Sequence, residues 1–333
     1  MNQKPEAEIQ TNQETKKVQV LLSAYNGETY LPAQLDSILS QKGVQVSVLV
    51  RDDGSKDRTL RILRRYVKKY ENISVYAGSN LGTAKSFFDL LKHADSACHY
   101  YAFADQDDIW MKEKLACAAS CLERLEQTYG TNLPLLYAGN VTWASKGLQM
   151  QKKINTRCNK QPSFGNALVE NICMGCTQVF NRSLLELAAS HPPKGNVIHD
   201  WWMYLTAACF GMVIYDRNAH MLYRQHEKNQ IGMRKSQGAR WKHRLLHVKS
   251  LRYKLSRQAV FFRDAYKGLL DLAVQEQYRK KDRKGSNARS LELLCGYRKD
   301  IKKKIQLVFG KYVCRQECLD DFAYRILFLL GYL

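Results

Sequence analysis

The chain has 333 residues, of which 45% are hydrophobic and 25% charged; it is long enough for one full domain with an appendage, and its composition excludes wholesale disorder. The formal net charge is +21, and residues 234–333 alone hold about 25 Lys and Arg against about 9 Asp and Glu, a field that favours nucleic acid, acidic lipid or a phosphorylated substrate. Ten cysteines are too few for a small disulfide scaffold, and no apolar signal segment is seen at the start, so a cytosolic, thiol-reduced setting is expected.

Residues 1–17 read as a flexible, polar lead-in. Residues 18–24 have the composition of a buried strand and end at the turn formers Asn26 and Gly27. Leu31, Leu35, Ile38 and Leu39 then recur at helical spacing, with Gly43 as the stop. Residues 44–50 form a second strand rich in β-branched side chains. It runs into the turn Arg51-Asp52-Asp53-Gly54-Ser55-Lys56-Asp57, whose Ser55 or Asp57 can cap the next helix. That helix aligns Leu60, Leu63, Val67 and Tyr70. Residues 73–76 make a third strand, Asn80-Leu81-Gly82 a turn, residues 83–93 a helix and residues 100–104 a fourth strand. The alternation predicts a parallel, doubly wound sheet over residues 18–125. The turns near residues 25, 53 and 105 all follow strands, so they share the sheet edge at which open α/β folds bind ligands.

Beyond residue 130 the periodicity loosens. Strands are expected over residues 135–140, 171–180 and 213–215, and a helix from His199 with Tyr204, Leu205 and Ala208 facing inward. From Arg234, the residues Trp241, Leu245, Val248, Leu255, Phe262 and Tyr266 recur at three- and four-residue steps among lysines and arginines, the pattern of a long basic amphipathic helix. No apolar run reaches the roughly 18 residues of a membrane-spanning helix, and the apolar residues 322–333 read as a terminal core helix. Cys173 and Cys176 have zinc-knuckle spacing, but no matching second pair follows, so zinc is not expected.

The run Asp105-Gln106-Asp107-Asp108-Ile109-Trp110 places three carboxylates in four positions behind an apolar strand. Like charges repel there and each carboxylate resists desolvation. A divalent cation relieves both, and hard oxygen ligands suit magnesium or manganese. A calcium loop of the EF-hand kind is ruled out, because Trp110 and Ala116 stand where that pattern needs glycine and glutamate. A carboxylate at a strand end, such as Asp53, can accept the imide N–H of uracil or thymine, and Tyr25 can stack on such a base. Each piece alone also reads as an acidic loop, a common turn or a packing aromatic.

Taken in order, Ser23-Ala24-Tyr25-Asn26-Gly27-Glu28, Asp52-Asp53-Gly54-Ser55, Asn80-Leu81-Gly82, the acidic run, Gly175-Cys176-Thr177, His199-Asp200-Trp201-Trp202 and Tyr223-Arg224-Gln225-His226 resemble the family 2 glycosyltransferases of GT-A fold. The form of the acidic run is most similar to bacterial rhamnosyltransferase-type members that build surface polysaccharides. The resemblance covers residues 18–230. It implies an α/β, Rossmann-like nucleotide-diphospho-sugar transferase fold with a mostly parallel central sheet, a nucleotide-sugar-binding half at 18–125 and an acceptor and catalytic half at 126–230. A basic, mainly helical region, 231–333, follows.

The implied activity is metal-dependent, inverting transfer of a sugar, with rhamnose one candidate, from a dTDP- or UDP-linked donor to a glycan acceptor, typically lipid-linked. By the same resemblance Asp53 contacts the base, with Ser23 and Tyr25 lining that pocket. Asp105 lies near the ribose and shares the metal site with Asp107, Gly82 approaches the diphosphate, and Asp200 is the general base; Lys85, just after that turn, either approaches the diphosphate or is a solvated helix lysine, and His226 is either a further metal or phosphate contact or a loop histidine beside Arg224. One departure is His199, where a glutamate is frequent. The basic region lies outside the resemblance, and its expected partner is the anionic inner face of the cell membrane, which would make the enzyme peripheral. Nucleic-acid binding through that region is the alternative; its aromatics, however, have core spacing and not that of an exposed stacking set.

Overall fold

The computed structural model describes residues 15–153, 160–226, 253–272 and 285–333. Lys17–Ala24 (β1) pairs in parallel with Gln45–Asp52 (β2) on one side and Tyr100–Ala104 (β4) on the other, and Ile73–Ala77 (β3) continues the ladder beyond β2. Leu31–Leu39 (α1), Thr59–Lys69 (α2) and Thr83–Lys92 (α3) are the crossovers, as the alternation predicts. β4 is buried along its whole length, which is why residues 100–104 read as an unbroken apolar run.

The second half mixes strand directions. Ile109–Trp110 (β5), Lys114–Tyr129 (α4), Leu135–Ala144 (β6), Met150–Lys153 (β7), Phe164–Ala167 (α5), Val179–Asn181 (β8), Arg182–Ser190 (α6), His199–Phe210 (α7) and Met212–Arg224 (β9) follow in order. The sheet runs β3-β2-β1-β4-β8-β6-β9-β5, with β7 beside β6. β8 is antiparallel to both of its neighbours, β6 and β9 are parallel, and β5 closes back antiparallel onto the end of β9. Long parallel ladders therefore carry most of the register, and this is the GT-A arrangement.

Four local expectations shift. β2 extends through Arg51 and Asp52, because Asp52 pairs with Ala24 and Ala77, so the turn starts at Asp53. The strand expected at 171–180 shrinks to β8. The residues before it form a tight 3-10 turn, Gly175–Thr177, with Gln178 Nε2 donating to the Cys173 and Asp200 carbonyls at 2.9 Å. The strand expected at 213–215 grows to 13 residues through its ladder with β6. At α2, Asp57 Oδ1 accepts from Thr59 N–H at 2.9 Å, whereas Ser55 Oγ accepts from Asn26 N–H.

After β9 come Lys254–Ala265 (α8), Gly285–Gly296 (α9), Ile301–Phe309 (α10) and Cys318–Leu329 (α11). The long basic helix expected from Arg234 falls partly on residues 227–252, outside the described residues; the described part is α8, whose Leu255 and Phe262, with Tyr266 just beyond it, are buried. They pack on α7: Trp202 meets Phe262 edge-on with ring centroids 5.4 Å apart, and Tyr266 OH lies 2.9 Å from Thr206 Oγ1. α8 to α11 thus share one apolar core with α3, α6 and α7 on one face of the sheet, while α1 and α4 cover the other. The nine cysteines among the described residues form no disulfide, and no described helix is long and apolar enough to cross a membrane.

Phe262 is fully buried between the two regions, so Phe262→Ala should cost about 3–5 kcal/mol. Urea unfolding followed by circular dichroism should show that loss in a single transition. A variant whose main transition is unmoved would mean that α8 folds separately from the sheet.

Candidate active site

A cleft of about 1200 Å³ opens at the carboxyl edge of β1, β2 and β4. Ser23, Tyr25, Asp53, Gly82, Asp105, Asp107, Asp200 and His226 all line it, so residues up to two hundred positions apart in the chain converge. Lys85 does not: it is exposed on the first turn of α3.

The floor of the cleft is built by loops that bind each other. Gln106 grips the Tyr25 backbone from both sides, Oε1 accepting from Tyr25 N–H at 2.9 Å and Nε2 donating to Tyr25 O at 3.0 Å. A Cβ on Gly27 would come within 2.2 Å of Gln106 Oε1, so only glycine leaves room for that grip. Gly27 N–H donates to Thr59 Oγ1, Glu28 N–H to Asp57 Oδ2, and Lys56 N–H to Asn26 Oδ1. The two loops therefore move as one body.

Asp53 is 2% exposed, and both of its carboxylate oxygens accept hydrogen bonds. Its Oδ1 accepts from Leu81 N–H at 2.8 Å and from Arg51 Nη1, and Oδ2 accepts from Gly82 N–H at 2.9 Å. Gly82 takes the positive φ of 78° that this turn needs. Arg51 also donates to Asp89, Ser86 Oγ and the Ser79 carbonyl, and Ser86 Oγ lies 2.6 Å from Ser23 Oγ. Oδ2 of Asp53 carries one bond and so keeps acceptor capacity toward the cleft. Arg51 was not singled out from the sequence; its signal was a basic residue in an otherwise apolar strand, next to two carboxylates.

The acidic run is tied down by the end of β9. Arg224 Nε donates to the Asp107 carbonyl at 2.8 Å, and His226 Nε2 lies 2.6 Å from Asp107 Oδ2. Tyr30 stacks against the His226 ring at 4.9 Å and under the Arg224 guanidinium at 4.8 Å. Asp108 is fully buried, with its Oδ1 facing Arg224 N–H at 3.3 Å; it shapes the turn and does not face the cleft. Burial, then Asp107, then Asp200 push the Asp105 carboxyl up to about 7. Burial also drives Asp108 well above the usual carboxylate range. Beneath them Lys114 is 3% exposed, its Nζ 3.6 Å above the Trp110 ring, and burial brings it down to about 8. Carboxylates at Asp105 and Asp108 and the Cys176 thiol have ligand atoms within 4.8 Å of one another. Burial holds that thiol protonated, so the oxygens are the only hard donors of the three.

Asp200 faces them from the first turn of α7. Its Oδ2 accepts from Gly175 N–H at 3.0 Å, and its Oδ1 is buried with no hydrogen-bond partner among the described residues. Burial, opposed by the Gly175 and Trp201 N–H groups and by the Asn171 side chain, lifts the carboxyl to about 6. Beside it, His199 stacks on Phe87 with centroids 4.0 Å apart, and burial lowers it to about 3. The imidazole is therefore neutral, and it lends Asp200 no positive charge.

The opposite wall contains residues that the motifs did not flag. Arg315 and Tyr324, from the C-terminal region, line the cleft beside Glu170 and Trp201. Arg315 donates to the Val169 carbonyl at 2.7 Å and to Glu170 Oε1 at 3.1 Å, and lies 4.1 Å from the Tyr324 ring centroid. Nothing local in residues 315–324 signals this placement, because it depends on how α11 packs.

The family model described as glycosyl transferase family 2 matches residues 19–187. The dTDP-rhamnosyl transferase RfbG of Shigella flexneri is 32% identical over 233 residues, covering 66% of this chain and 77% of that protein. The UDP-Glc:alpha-D-GlcNAc-diphosphoundecaprenol beta-1,3-glucosyltransferase WfgD of Escherichia coli is 28% identical over 172 residues, half of this chain and 61% of that protein. Among solved structures, residues 1–349 of TarS from S. aureus share the fold with a TM-score of 0.52 at 16% identity, covering 88% of this chain and 83% of that one.

The Gln106 grip makes a measurable demand. Gln106→Ala removes the acceptor of the Tyr25 amide, a bond with a net value of about 1 kcal/mol, so hydrogen exchange at Tyr25 should quicken on the order of fivefold. Exchange rates in the strand interiors should stay as they are; an unchanged Tyr25 rate would refute the clamp.

Proposed function

The chain belongs to glycosyl transferase family 2 and is a glycosyltransferase; from that premise we propose that it is a metal-dependent, inverting enzyme with Asp200 as the general base. One observation carries the reading. Asp200 lines the same cleft as Asp53, Asp105 and Asp107, and one of its carboxylate oxygens is buried without a hydrogen-bond partner among the described residues.

The acidic side of the cleft fits a divalent cation. Asp105, raised to about 7 by burial and by its acidic neighbours, ionises more readily when positive charge arrives nearby. Asp107 and His226 are the residues that would hold the cation, with Asp105 beside them, and a bound cation would neutralise the diphosphate as it departs. Asp53 Oδ2 would accept the imide N–H of a uracil or thymine, with Tyr25 over the base and Ser23 beside it. Gly82, with its N–H already given to Asp53, would bring backbone close to the donor. Lys85 would have to swing in from solvent, which leaves it the weakest member of the set.

An acceptor hydroxyl between Asp200 and the donor would give its proton to the Asp200 carboxylate as its oxygen attacks the anomeric carbon. The sugar–diphosphate bond breaks on the opposite face, the diphosphate keeps the electron pair, and the configuration inverts. The lift of Asp200 to about 6 makes it a stronger base than an ordinary carboxylate while it stays ionised at neutral pH. The rhamnosyl relative supports a dTDP-linked rhamnose donor, and the name of the glucosyl relative supports a polyprenyl-diphosphate-linked acceptor. The surplus of about 16 positive charges in residues 234–333 supports peripheral attachment to an anionic inner membrane face. In α8 and just beyond it Phe262 and Tyr266 are buried, so the aromatics of that helix are not a base-stacking set.

Asp200→Asn should lower transfer by about 10²–10⁴-fold while leaving the melting temperature close to that of the parent. Transfer assayed over a panel of nucleotide sugars, with a glycan acceptor, reads it; retained turnover removes Asp200 from the base role. Parent transfer should itself fall as pH drops below about 6, where Asp200 takes up its proton.

The metal site has its own readout. A carboxyl raised on folding favours the folded state while protonated, and that stability is lost as pH rises from the unfolded value near 4 through about 7 for Asp105. A cation binds the ionised form, so manganese should raise the melting temperature more at pH 8 than at pH 5. Equal shifts at both pH values, or the same shifts in Asp107→Ala, would remove the metal from this site.

A further inference from the structure

Two neighbouring helices at the C-terminal end turn apolar side chains to solvent. On α10 these are Ile301, Ile305 and Phe309, spaced by four residues; on α11 they are Phe322, Ile326 and Leu329 at steps of four and three. Phe309 is 77% and Phe322 63% exposed. The opposite faces already supply the core, through Leu307 and Val308 on α10 and Ala323 and Phe328 on α11. Folding of the chain therefore does not use the outer stripes, and among the described residues nothing covers them. The helices are fastened together: Lys304 Nζ donates to the Leu329 carbonyl at 3.1 Å, and Arg325 donates to the Gly310 carbonyl at 3.0 Å. The two stripes are thus carried on helices that are bonded to each other. Exposed apolar surface on that scale marks an interaction site.

Charge selects the partner. Residues 298–311 hold Arg298, Lys299, Lys302, Lys303, Lys304 and Lys311 against the single acid Asp300, and Lys299, Lys302 and Lys311 are exposed. An apolar stripe edged with lysine is the pattern of a helix lying in the interface of an anionic bilayer. A second copy would cover the stripe but would set lysine clusters of two +21 chains against each other. We infer that the outer faces of α10 and α11 form a membrane-docking surface that inserts into the headgroup region of an anionic phospholipid bilayer.

The inner side of the same element touches the site. Tyr324, on the face of α11 opposite Phe322 and Ile326, lines the cleft, as does Arg315 just ahead of the helix. Docking thus brings the Asp200 wall of the cleft to the membrane surface. The docking deepens the peripheral attachment proposed above, and its use for a lipid-linked acceptor rests on that same reading.

The test uses the full-length protein and vesicles of phosphatidylcholine with and without phosphatidylglycerol. A Phe322→Trp variant should show a blue-shifted emission quenched by brominated acyl chains in the anionic vesicles. Phe309→Glu combined with Phe322→Glu should lower co-sedimentation with those vesicles on the order of tenfold, with donor hydrolysis in lipid-free solution within about twofold of the parent. Lys299→Ser, Lys302→Ser and Lys311→Ser together should weaken binding to anionic vesicles and leave the smaller binding to neutral ones. Undiminished co-sedimentation of the double glutamate variant overturns the inference. So does an unshifted, unquenched emission from the Phe322→Trp variant, or a dimer in sedimentation velocity that the glutamates dissolve while the parent ignores lipid. Absence of donor hydrolysis in the parent counts against the proposed function alone.

Discussion

The structure is organised around a concentration of negative charge in a place with little water. Asp105, Asp107, Asp108 and Asp200 meet at the end of β4 and the start of α7, and burial pushes three of them upward from ordinary carboxylate behaviour. Isolated, such a group would spread apart or neutralise itself. It is held by backbone donors and by cations that approach from behind: Arg224 from β9, Lys114 under Trp110, and the Gly175 amide. The mixed second half of the sheet makes this possible. Because β9 runs parallel to β6 and pairs with β5, its last residues return to the acidic run.

The nucleotide side follows a different rule, in which polar groups are paired almost completely before any ligand arrives. Arg51 bridges Asp53, Asp89, Ser86 and Ser79, and the loops after β1 and β2 are knotted by side chain to backbone bonds. Such a floor loses little entropy on binding. The acidic side, by contrast, leaves charge unbalanced, as a site for a cation and a diphosphate should. One half of the cleft is preorganised by satisfaction and the other by frustration.

The C-terminal region shows two faces of one helix doing separate work. α11 packs Ala323 and Phe328 inward, brings Tyr324 to the cleft wall and keeps Phe322 outside. Its basic composition reads as a single property in the sequence. In three dimensions it divides into cations that fasten the fold, such as Arg315 and Arg325, and cations left in solvent, such as Lys299, Lys302 and Lys311.

The sequence by itself determined the parallel ladder over residues 18–125, the shared sheet edge and the ordered motifs that resemble family 2, because strand and crossover periodicities and turn residues are local signals. It also marked Ser23, Tyr25, Asp53, Gly82, Asp105, Asp107, Asp200 and His226, all of which reach the cleft. Lys85 was marked by proximity in sequence, and helical geometry turned it to solvent. The strand expected at 171–180 failed for a tertiary reason: Gly175 bends to serve Asp200, a partner 25 positions away. Gln106's grip on Tyr25, the neutrality of His199 against Phe87 and the arrival of Arg315 at the cleft were decided by the tertiary structure alone. Each depends on burial or on a contact across the sheet, and neither burial nor long-range contact is written in the spacing of residues along a chain.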